Sequence, residues 1–345
     1  MIVQSRIEDG RRVVQGWRAA LYAGDPAGLL GALRALLAPD ALVQLAFPFE
    51  NLTGPEEFYT QAYRPLLEAF PDLERRDFIC LAGHSGEAQW VGCAGHYLGV
   101  FERPWLGIPP TRQLAGMRYH EFFRVVEGQV VEIQALWDIP HLMMQAQAWP
   151  LAPSLGVDWL APGPATQDGL GPRPDEAAAT EANRQLVMDM LTAMGRHPLA
   201  GGVEVMQLEK YWHPRMNWYG PAGIGSFRGL AGFRRGHQIP FLKAMPDRTG
   251  SVNASPSRAV LFADGAYVAT TGWPNMQMTL TGDGWLGIAP AGQPLTMRSL
   301  DFWRCENGLI RENWVLVDLL HVYHQLGVDV LARMRELTHA RQPEA

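Results

Sequence analysis

The sequence is poor in cysteine and contains no long apolar run. Its three cysteines, Cys80, Cys93 and Cys305, are scattered and form no C-x-x-C pair. Such a set is typical of reduced thiols packed in the core of a cytoplasmic protein, and it argues against a disulfide scaffold. No stretch of 18 apolar residues predicts a membrane span. The first residues show no apolar segment like that of a secretory signal, so we expect a cytoplasmic protein.

Positive charge is also scarce. Charged residues make up 19% of the chain, the net charge is -6, and no stretch is dense in lysine and arginine. We therefore expect neither nucleic acid nor an anionic membrane surface as a partner. The sequence has no glycine-rich phosphate loop, no G-x-S-x-G motif and no histidine cluster with the spacing of a metal site. We predict no cofactor and no metal.

Apolar residues are abundant, and the chain repeats itself. They make up 47% of 345 residues, which predicts a substantial core and favours two domains. Shifted by 180, residues 105–145 align without a gap to residues 285–325, with sixteen of 41 positions identical. Shifted by 175, residues 65–72 align with residues 240–247. The chain therefore holds two copies of one domain in tandem.

A segment rich in proline and glycine separates the copies, and this composition is typical of an extended, irregular linker. We predict a first domain at 1–147, a linker at 148–180 and a second domain at 181–340. Apolar side chains in the linker predict that it packs along a domain surface. These are Trp149, Leu151, Trp159 and Leu160.

One copy has the order helices, strand, helix and then four strands. Apolar residues recur at helical spacing in 9–23 and 27–38. A strand is predicted at 41–47, and a helix with Thr53 as its cap follows it. The four later strands are predicted at 73–82, 87–101, 112–126 and 129–137. This order predicts an α+β fold in which a curved, mostly antiparallel sheet wraps over helices.

Three motifs identify a related family. They are "GHYLG" followed by "WLGIPPT", the strand–turn–strand "HEFFRVVEGQVVE", and "NWVLVDLLHVYHQLG". In this order they resemble the SnoaL-like polyketide cyclases of the nuclear-transport-factor-2-like (NTF2-like) superfamily. The resemblance covers each copy nearly end to end and implies two cone-shaped domains, each with an apolar pocket between sheet and helices. It does not define the reaction, because relatives include ring-closing aldolases, isomerases, epoxide hydrolases, dehydratases and proteins that only bind or dimerise.

Each copy places one carboxylate among mostly apolar neighbours on one face of a strand. Side-chain alternation puts Glu121 on the apolar face of residues 117–126, and Asp301 takes the same place in the second copy. Full burial raises the pKa of such an acid by up to about 3–5 units, which would allow proton transfer near neutral pH. The alternative is an ion pair with a nearby arginine or a position facing solvent.

The resemblance implies another position for the main catalytic acid. In the cyclases an aspartate lies on the next strand, three residues before the aspartate that opens the closing helix. A pocket-facing histidine takes the position of Glu121. In this chain the acid positions are Ala135 and Val315, which cannot transfer a proton. Either that activity is absent or a different acid carries it.

Three further residues are candidates to assist. Asp138 and Asp318 stand where each closing helix begins, so each is either a helix cap or a catalytic acid at the pocket rim. His96, in the "GHYLG" motif, is either a pocket residue of the first copy or a structural one.

Aromatic residues are dense enough to line two pockets for a flat hydrophobic ligand. In the first pocket we predict Trp90, Tyr97, Tyr119, Phe123 and Trp137. In the second we predict Trp218, Trp273, Trp303 and Asn313.

The sequence thus favours a cofactor-free SnoaL-like enzyme. It would perform acid–base chemistry (cyclisation, isomerisation or hydrolysis) on a small polyketide-, steroid- or terpenoid-like molecule. Glu121 and Asp301 would be general acid–bases, assisted by the three candidates above. The alternatives are a non-catalytic small-molecule binding protein and a scaffold in which the copies pack as an internal pseudo-dimer, with or without a further homodimer.

Overall fold

The computed structural model describes residues 10–171, 176–197, 200–250 and 259–339. The chain divides into two compact units. Unit one comprises Met1–Ala82, Glu87–Leu151 and Leu319–Ala345, and unit two comprises Gly83–Gly86 and Ala152–Asp318. The predicted linker falls within these ranges, and its residues 172–175 lie outside the described part of the chain. The predicted domain boundaries stay a prediction.

Unit one is built on a six-stranded sheet with the order β2-β1-β6-β5-β4-β3. In this sheet β1 is parallel to β6 and antiparallel to β2. The strands are β1 Leu37–Leu45, β2 Glu50–Thr53, β3 Glu74–Ser85, β4 Ala88–Val100, β5 Leu114–Val126 and β6 Gln129–Trp137. The four strands predicted after the helices are all present, with bounds that differ by a few residues.

Helices cover one face of this sheet. They are Gln15–Tyr22, Pro26–Leu36, Gly54–Glu57, a π-helical turn at Phe58–Tyr63, Arg64–Ala69 and Ile139–Gln145, with Leu319–Gln325 and Val330–His339 from the last segment. The predicted helix after Thr53 begins there, but the Thr53 side chain makes no capping hydrogen bond. Instead the Glu57 carboxylate accepts from the Thr53 backbone N–H at 2.8 Å.

Unit two contains a six-stranded sheet with the order β10-β11-β14-β15-β7-β8 and a small sheet with the order β13-β12-β9. Its strands are β7 Trp212–Tyr219, β8 Phe227–Arg228, β9 Thr249–Gly250, β10 Val260–Asp264, β11 Tyr267–Thr271, β12 Met276–Thr279, β13 Pro294–Met297, β14 Ser299–Glu306 and β15 Leu309–Val317. Its helical segments are Ala177–Met194, Val203–Met206, Leu208–Lys210, Gly229–Phe233, Arg234–Gln238 and Ile239–Ala244.

The last hairpin has the same kind of turn in both units. In unit one, Glu127 and Gly128 both have positive φ, and in unit two Asn307 and Gly308 do. Two consecutive residues with positive φ form the tight turn whose twist matches that of paired strands. The turn fixes the register of β5 with β6 and of β14 with β15, and so decides which side chains share a face.

The two units are tandem NTF2-like α+β domains, as the sequence predicted. The face that carries Glu121 in unit one and Asp301 in unit two is called the inner face, and the opposite one the outer face. Helical residues pack on the inner face. For example, the ring of Trp17 meets Phe123 edge-on at 5.2 Å. Within the described residues, no helix is long and apolar enough to cross a bilayer.

Candidate functional site

The sheet register places the two repeated carboxylates at equivalent points. Glu121 lies opposite Ala135 on the neighbouring strand, and Asp301 lies opposite Val315. Directly opposite residues in an antiparallel pair point to the same face. Glu121 and Asp301 are therefore the inner-face acids nearest to the position at which the resemblance implied a catalytic aspartate.

In unit one this acid is paired. The Arg75 Nη1 atom donates to Glu121 Oε2 at 2.6 Å, and both side chains are almost fully buried. Tyr97 donates its hydroxyl proton to Glu121 Oε1 at 2.9 Å, and the Trp137 Nε1–H donates to the same atom at 3.0 Å. All the donors stabilise the ionised carboxylate. The arginine alternative left open by the sequence is therefore what the structure shows for Glu121.

Arg75 is itself enclosed on every side. Its guanidinium also binds Asp77, with Nη2 2.8 Å from Oδ1. The guanidinium carbon lies 4.2 Å from the ring centroid of Trp17 and 4.0 Å from that of Tyr119. Cation–π contacts of this kind are strongest where water is excluded. Arg75 is thus a fixed part of the core of unit one.

Aromatic rings occupy the rest of the inner face of unit one. Tyr63 and Tyr97 share a hydrogen bond of 2.9 Å between their hydroxyl groups. The Trp137 ring lies 5.6 Å from each of these two rings. Each of these side chains is at most 3% exposed. The polar groups around Glu121 thus bind one another and leave this acid without an open approach.

Unit two has a cavity at the equivalent place, with a volume of about 100 Å³. Asp301 lines it. Most of its wall is apolar or aromatic: Met190, Leu191, Met194, Met206, Trp212, Trp218, Ile224, Phe233, Phe241, Leu242, Met276, Trp285, Met297, Trp303, Val315 and Val317. The polar members of the wall are Asp301, Ser299, Asn313, His237, Gln238 and Arg248. Apolar walls with a few convergent polar groups are typical of a small-molecule site.

Differences between the copies explain why one inner face is filled and the other open. The shift of 180 pairs Tyr119 with Ser299 and Trp137 with Val317. Two large rings of unit one are thus replaced by small side chains that line the cavity of unit two. The shift of 175, extended by a few residues, pairs Arg75 with Gly250. Unit two therefore lacks the arginine that neutralises the acid in unit one.

Asp301 has one hydrogen bond to its carboxylate, from the Ser299 hydroxyl to Oδ1 at 2.8 Å. Burial raises the pKa of Asp301 to about 7, and the hydrogen bond from Ser299 only partly opposes that rise. A buried carboxylate without a cation prefers the neutral form because the charged form loses its hydration. Near neutral pH this carboxyl group therefore exists in both protonation states.

His237 is a cavity residue that the sequence did not single out. Its ring stacks on Trp218 with 4.4 Å between centroids and an angle of 16° between planes. Burial, together with the positive charge of Arg248, lowers the pKa of His237 to about 3. The imidazole is thus neutral at physiological pH.

Three of the four residues predicted for the second pocket line the cavity: Trp218, Trp303 and Asn313. The prediction for Trp273 is wrong, because this residue is absent from the cavity wall. Its ring instead lies 4.4 Å from the guanidinium carbon of Arg298. Trp273 lies in the turn between β11 and β12, so strand alternation does not place its side chain on the cavity face.

Of the residues predicted for the first pocket, four lie on the inner face: Tyr97, Tyr119, Phe123 and Trp137. They are packed core residues at most 3% exposed. Trp90 lies opposite Arg124 and so belongs to the outer face, and its placement in a pocket is corrected.

The three assisting candidates also lie on the outer face. His96 is opposite Arg118 in the sheet, while Asp138 and Asp318 follow directly on inner-face positions at the ends of their strands. Asp318 accepts from Arg298 Nη1 at 3.1 Å, and Asp138 lies 3.8 Å from Arg118 Nη2. The structure therefore does not bring them to Glu121 or Asp301, and their catalytic roles stay predictions.

Two differences between the copies, visible in the sequence, could have indicated the cavity of unit two. Tyr119 against Ser299 and Trp137 against Val317 both exchange a large ring for a small side chain on the face that carries the acid. His237, Gln238 and Arg248 gave no such signal, because the residues that the shift of 175 pairs with them are of unrelated chemical types. Across the part of the chain that the structure describes, no group of three or more His, Cys, Asp or Glu side chains is placed to hold a metal ion.

Three of the solved structures to which this chain is similar each match about two fifths of it. AclR of Streptomyces galilaeus is 19% identical, over 41% of this chain and 97% of that chain, with a TM-score of 0.35. Wild-type IdmH of Streptomyces antibioticus is 22% identical, over 39% and 96%, with a TM-score of 0.31. An NTF2-like protein of Burkholderia thailandensis is 22% identical, over 40% and 96%, with a TM-score of 0.31.

Curated proteins gave no sequence match. One family profile, in contrast, matches both copies of the repeat. The profile described as SnoaL-like polyketide cyclase matches residues 11–146 and 202–326, which together make up most of the chain, and the chain therefore belongs to that family.

Proposed function

We propose that unit two is a cofactor-free enzyme domain whose cavity transfers a proton within a small hydrophobic substrate, with Asp301 as the acid–base group. The observation that carries this proposal is the position of Asp301: it lines a mostly apolar cavity and has no arginine partner, whereas Glu121 is sealed in an ion pair. An acid whose pKa lies near the working pH is the most effective proton-transfer group.

The chemistry needs only the substrate and this carboxyl group. In its ionised form Asp301 takes a proton from a carbon next to a carbonyl; the C–H electron pair forms a C=C bond and the C=O π pair moves onto oxygen, which gives an enolate. In an isomerisation the enolate takes the proton back from Asp301 at another carbon. In a cyclisation the enolate carbon attacks a second carbonyl of the substrate, and the resulting alkoxide takes the proton from Asp301, so that no proton or electron is gained or lost overall.

The absence of the family's usual acid supports the assignment. Val315, at that position, lies directly across from Asp301 and on the same face. A carboxylate at 301 is therefore one strand away from the expected one and still faces the cavity that Val315 lines. In unit one the equivalent acid holds the core together, so we assign unit one a structural role.

We expect Asp301 to act as a base on a generic carbon acid. The probe is nitrobenzisoxazole, whose ring opens when a base removes the ring C–H proton and the N–O bond breaks to give a coloured cyanophenolate. The wild-type rate should rise with pH and level off above about 7, because the ionised form is the active one. Asp301→Asn should lower the rate by about 100-fold or more.

Asp283→Asn is the matched control for this measurement, since Asp283 is an exposed acid of the same unit. It should leave rate and pH profile unchanged. Equal rates for wild type and Asp301→Asn would contradict the proposal and favour a binding protein without turnover.

We expect the stability of the protein to report the same titration. Folding raises the pKa of Asp301 from an ordinary value of about 3.9 to about 7. The contribution of this group to the free energy of unfolding is therefore complete below pH 4 and is lost as the pH rises to 7. The loss is up to about 4 kcal/mol, and less where cavity water solvates the carboxylate. Urea unfolding at pH 5 and pH 8 should show that the stability of Asp301→Asn, relative to that of the wild type, is greater at pH 8 than at pH 5. A difference in stability between the two proteins that does not change with pH would contradict the burial of this acid.

We expect Glu121→Gln to affect folding instead of turnover. It removes one partner of a buried ion pair, and such changes cost about 3–5 kcal/mol, here near the lower end because Arg75 keeps Asp77. The control is Glu132→Gln, which removes the partly exposed partner of Arg124 and should cost about 1 kcal/mol or less. If Glu121→Gln stays as stable as the wild type but loses turnover of the probe, unit one holds the active acid after all.

A further inference from the structure

Arg248 is the arginine among the described residues that line the cavity. It lies in the loop between the helix Ile239–Ala244 and β9. Its Nη2 atom donates to the Met194 carbonyl oxygen at 3.2 Å. Its Nε atom is buried and has no hydrogen-bond partner in the described part of the protein. Arg248 thus differs from Arg75, which binds two carboxylates.

No carboxylate of the described residues pairs with Arg248. Burial lowers the pKa of Arg248, and no acidic group acts on it in the opposite sense. The eight residues at 251–258, which follow in sequence and lie outside the described ranges, contain neither aspartate nor glutamate. The guanidinium therefore carries a positive charge at the wall of a mostly apolar cavity, and even the adjacent Asp247 does not pair with it, because that carboxylate accepts from the Thr279 backbone N–H.

Two neighbours of the wall add unsatisfied polar atoms. His237 Nδ1 and Gln238 Oε1 are both buried, and neither has a hydrogen-bond partner among the residues that the structure describes. His237 is close enough to Arg248 for the guanidinium to lower its pKa. The cavity thus has a polar end, formed by His237, Gln238 and Arg248, in which Arg248 Nε, and His237 Nδ1 in one tautomer, can donate to an anion, whereas Gln238 Oε1 only accepts.

Such a group of atoms is costly in an empty protein. A buried charge or polar atom without a partner destabilises the folded state, because it has lost its hydration and gained no hydrogen bond in return. Proteins tolerate this where a ligand supplies the missing partners. The missing partner of a guanidinium is an anion with two acceptor oxygens, and a carboxylate matches its paired N–H groups.

We propose that the substrate of unit two is a hydrophobic molecule that carries a carboxylate, and that Arg248 binds this carboxylate. The proposal rests on the proposed function in that it assigns the substrate class of the same cavity. The apolar wall takes the body of the molecule, and the polar end takes its head. Arg248 is then a binding and orienting residue, whereas Asp301 reaches the reacting carbon.

The separation of the two charged groups supports this orientation. Arg248 and Asp301 form no ion pair with each other within the described ranges, although both line one cavity. They differ in this from Arg75 and Glu121 of unit one, which form an ion pair at 2.6 Å. Because they are apart, a substrate can bind one end of the cavity and present a carbon to the other.

The test uses phenylacetate and phenylacetamide, which differ in the charge of the head group and hardly in size. Isothermal titration of the full chain at pH 6 measures both dissociation constants. We expect the wild type to bind phenylacetate at least about tenfold more tightly than the amide, because a charge-assisted pair replaces a neutral one. Arg248→Met should remove this preference and bring the two dissociation constants within about twofold.

Arg248→Met should fold, because replacing an unpaired buried cation by an apolar side chain of similar length is neutral or stabilising. Arg248→Lys is the second variant and should retain part of the preference, since it keeps the positive charge but loses the paired N–H groups of the guanidinium. Equal binding of acid and amide by the wild type, or an undiminished preference in Arg248→Met, would overturn the proposal.

The two proposals can fail separately. Asp301→Asn should keep the preference for phenylacetate, since it leaves Arg248 in place. If Asp301→Asn loses no turnover of nitrobenzisoxazole while Arg248→Met loses the preference, the carboxylate site stands and the proton-transfer role falls. If turnover depends on Asp301 but no variant changes the preference, the reverse holds.

Discussion

A carboxylate on the inner face of the sheet must be neutralised, and the two copies meet this constraint in different ways. In unit one Arg75 supplies a positive charge 2.6 Å from Glu121, and Tyr97 and Trp137 complete the shell. In unit two no cation of the described residues pairs with the acid, and burial raises the pKa of Asp301 to about 7, so that the protonated form is populated near neutral pH. The first arrangement requires the inner face to be filled, and the second leaves Asp301 open to a cavity.

The fold was predictable because its signals are local or repeated. Strand alternation and the hairpin at Gly128 determine the face of Glu121, and the shift of 180 transfers this assignment to Asp301 without further assumption. The same alternation would have placed Trp90 and His96 correctly had their register with β5 been known. Register depends on pairing between strands, and one residue of error moves a side chain to the opposite face.

Whether each acid pairs with a cation was not predictable, because the pairing depends on residues that are distant in sequence. Arg75 is separated from Glu121 by 46 positions, and nothing local to either residue indicates the pair. Arg248 and His237 reach the cavity from a loop and a helical turn in which the first copy has Leu73 and Ala62 at the paired positions. Long-range pairing of this kind decides whether a buried acid is ionised, so the alternatives left open by the sequence were resolved only by the three-dimensional arrangement.

Unit one is assembled from three separate stretches of chain, and the last of them, Leu319–Ala345, follows the final strand of the second copy. The boundaries of the compact units therefore differ from those of the sequence repeats. A gene that lost either repeat would also remove part of the unit built around the other. Once the duplication had reached this connectivity, the copies could diverge in their interiors but could no longer be inherited one without the other.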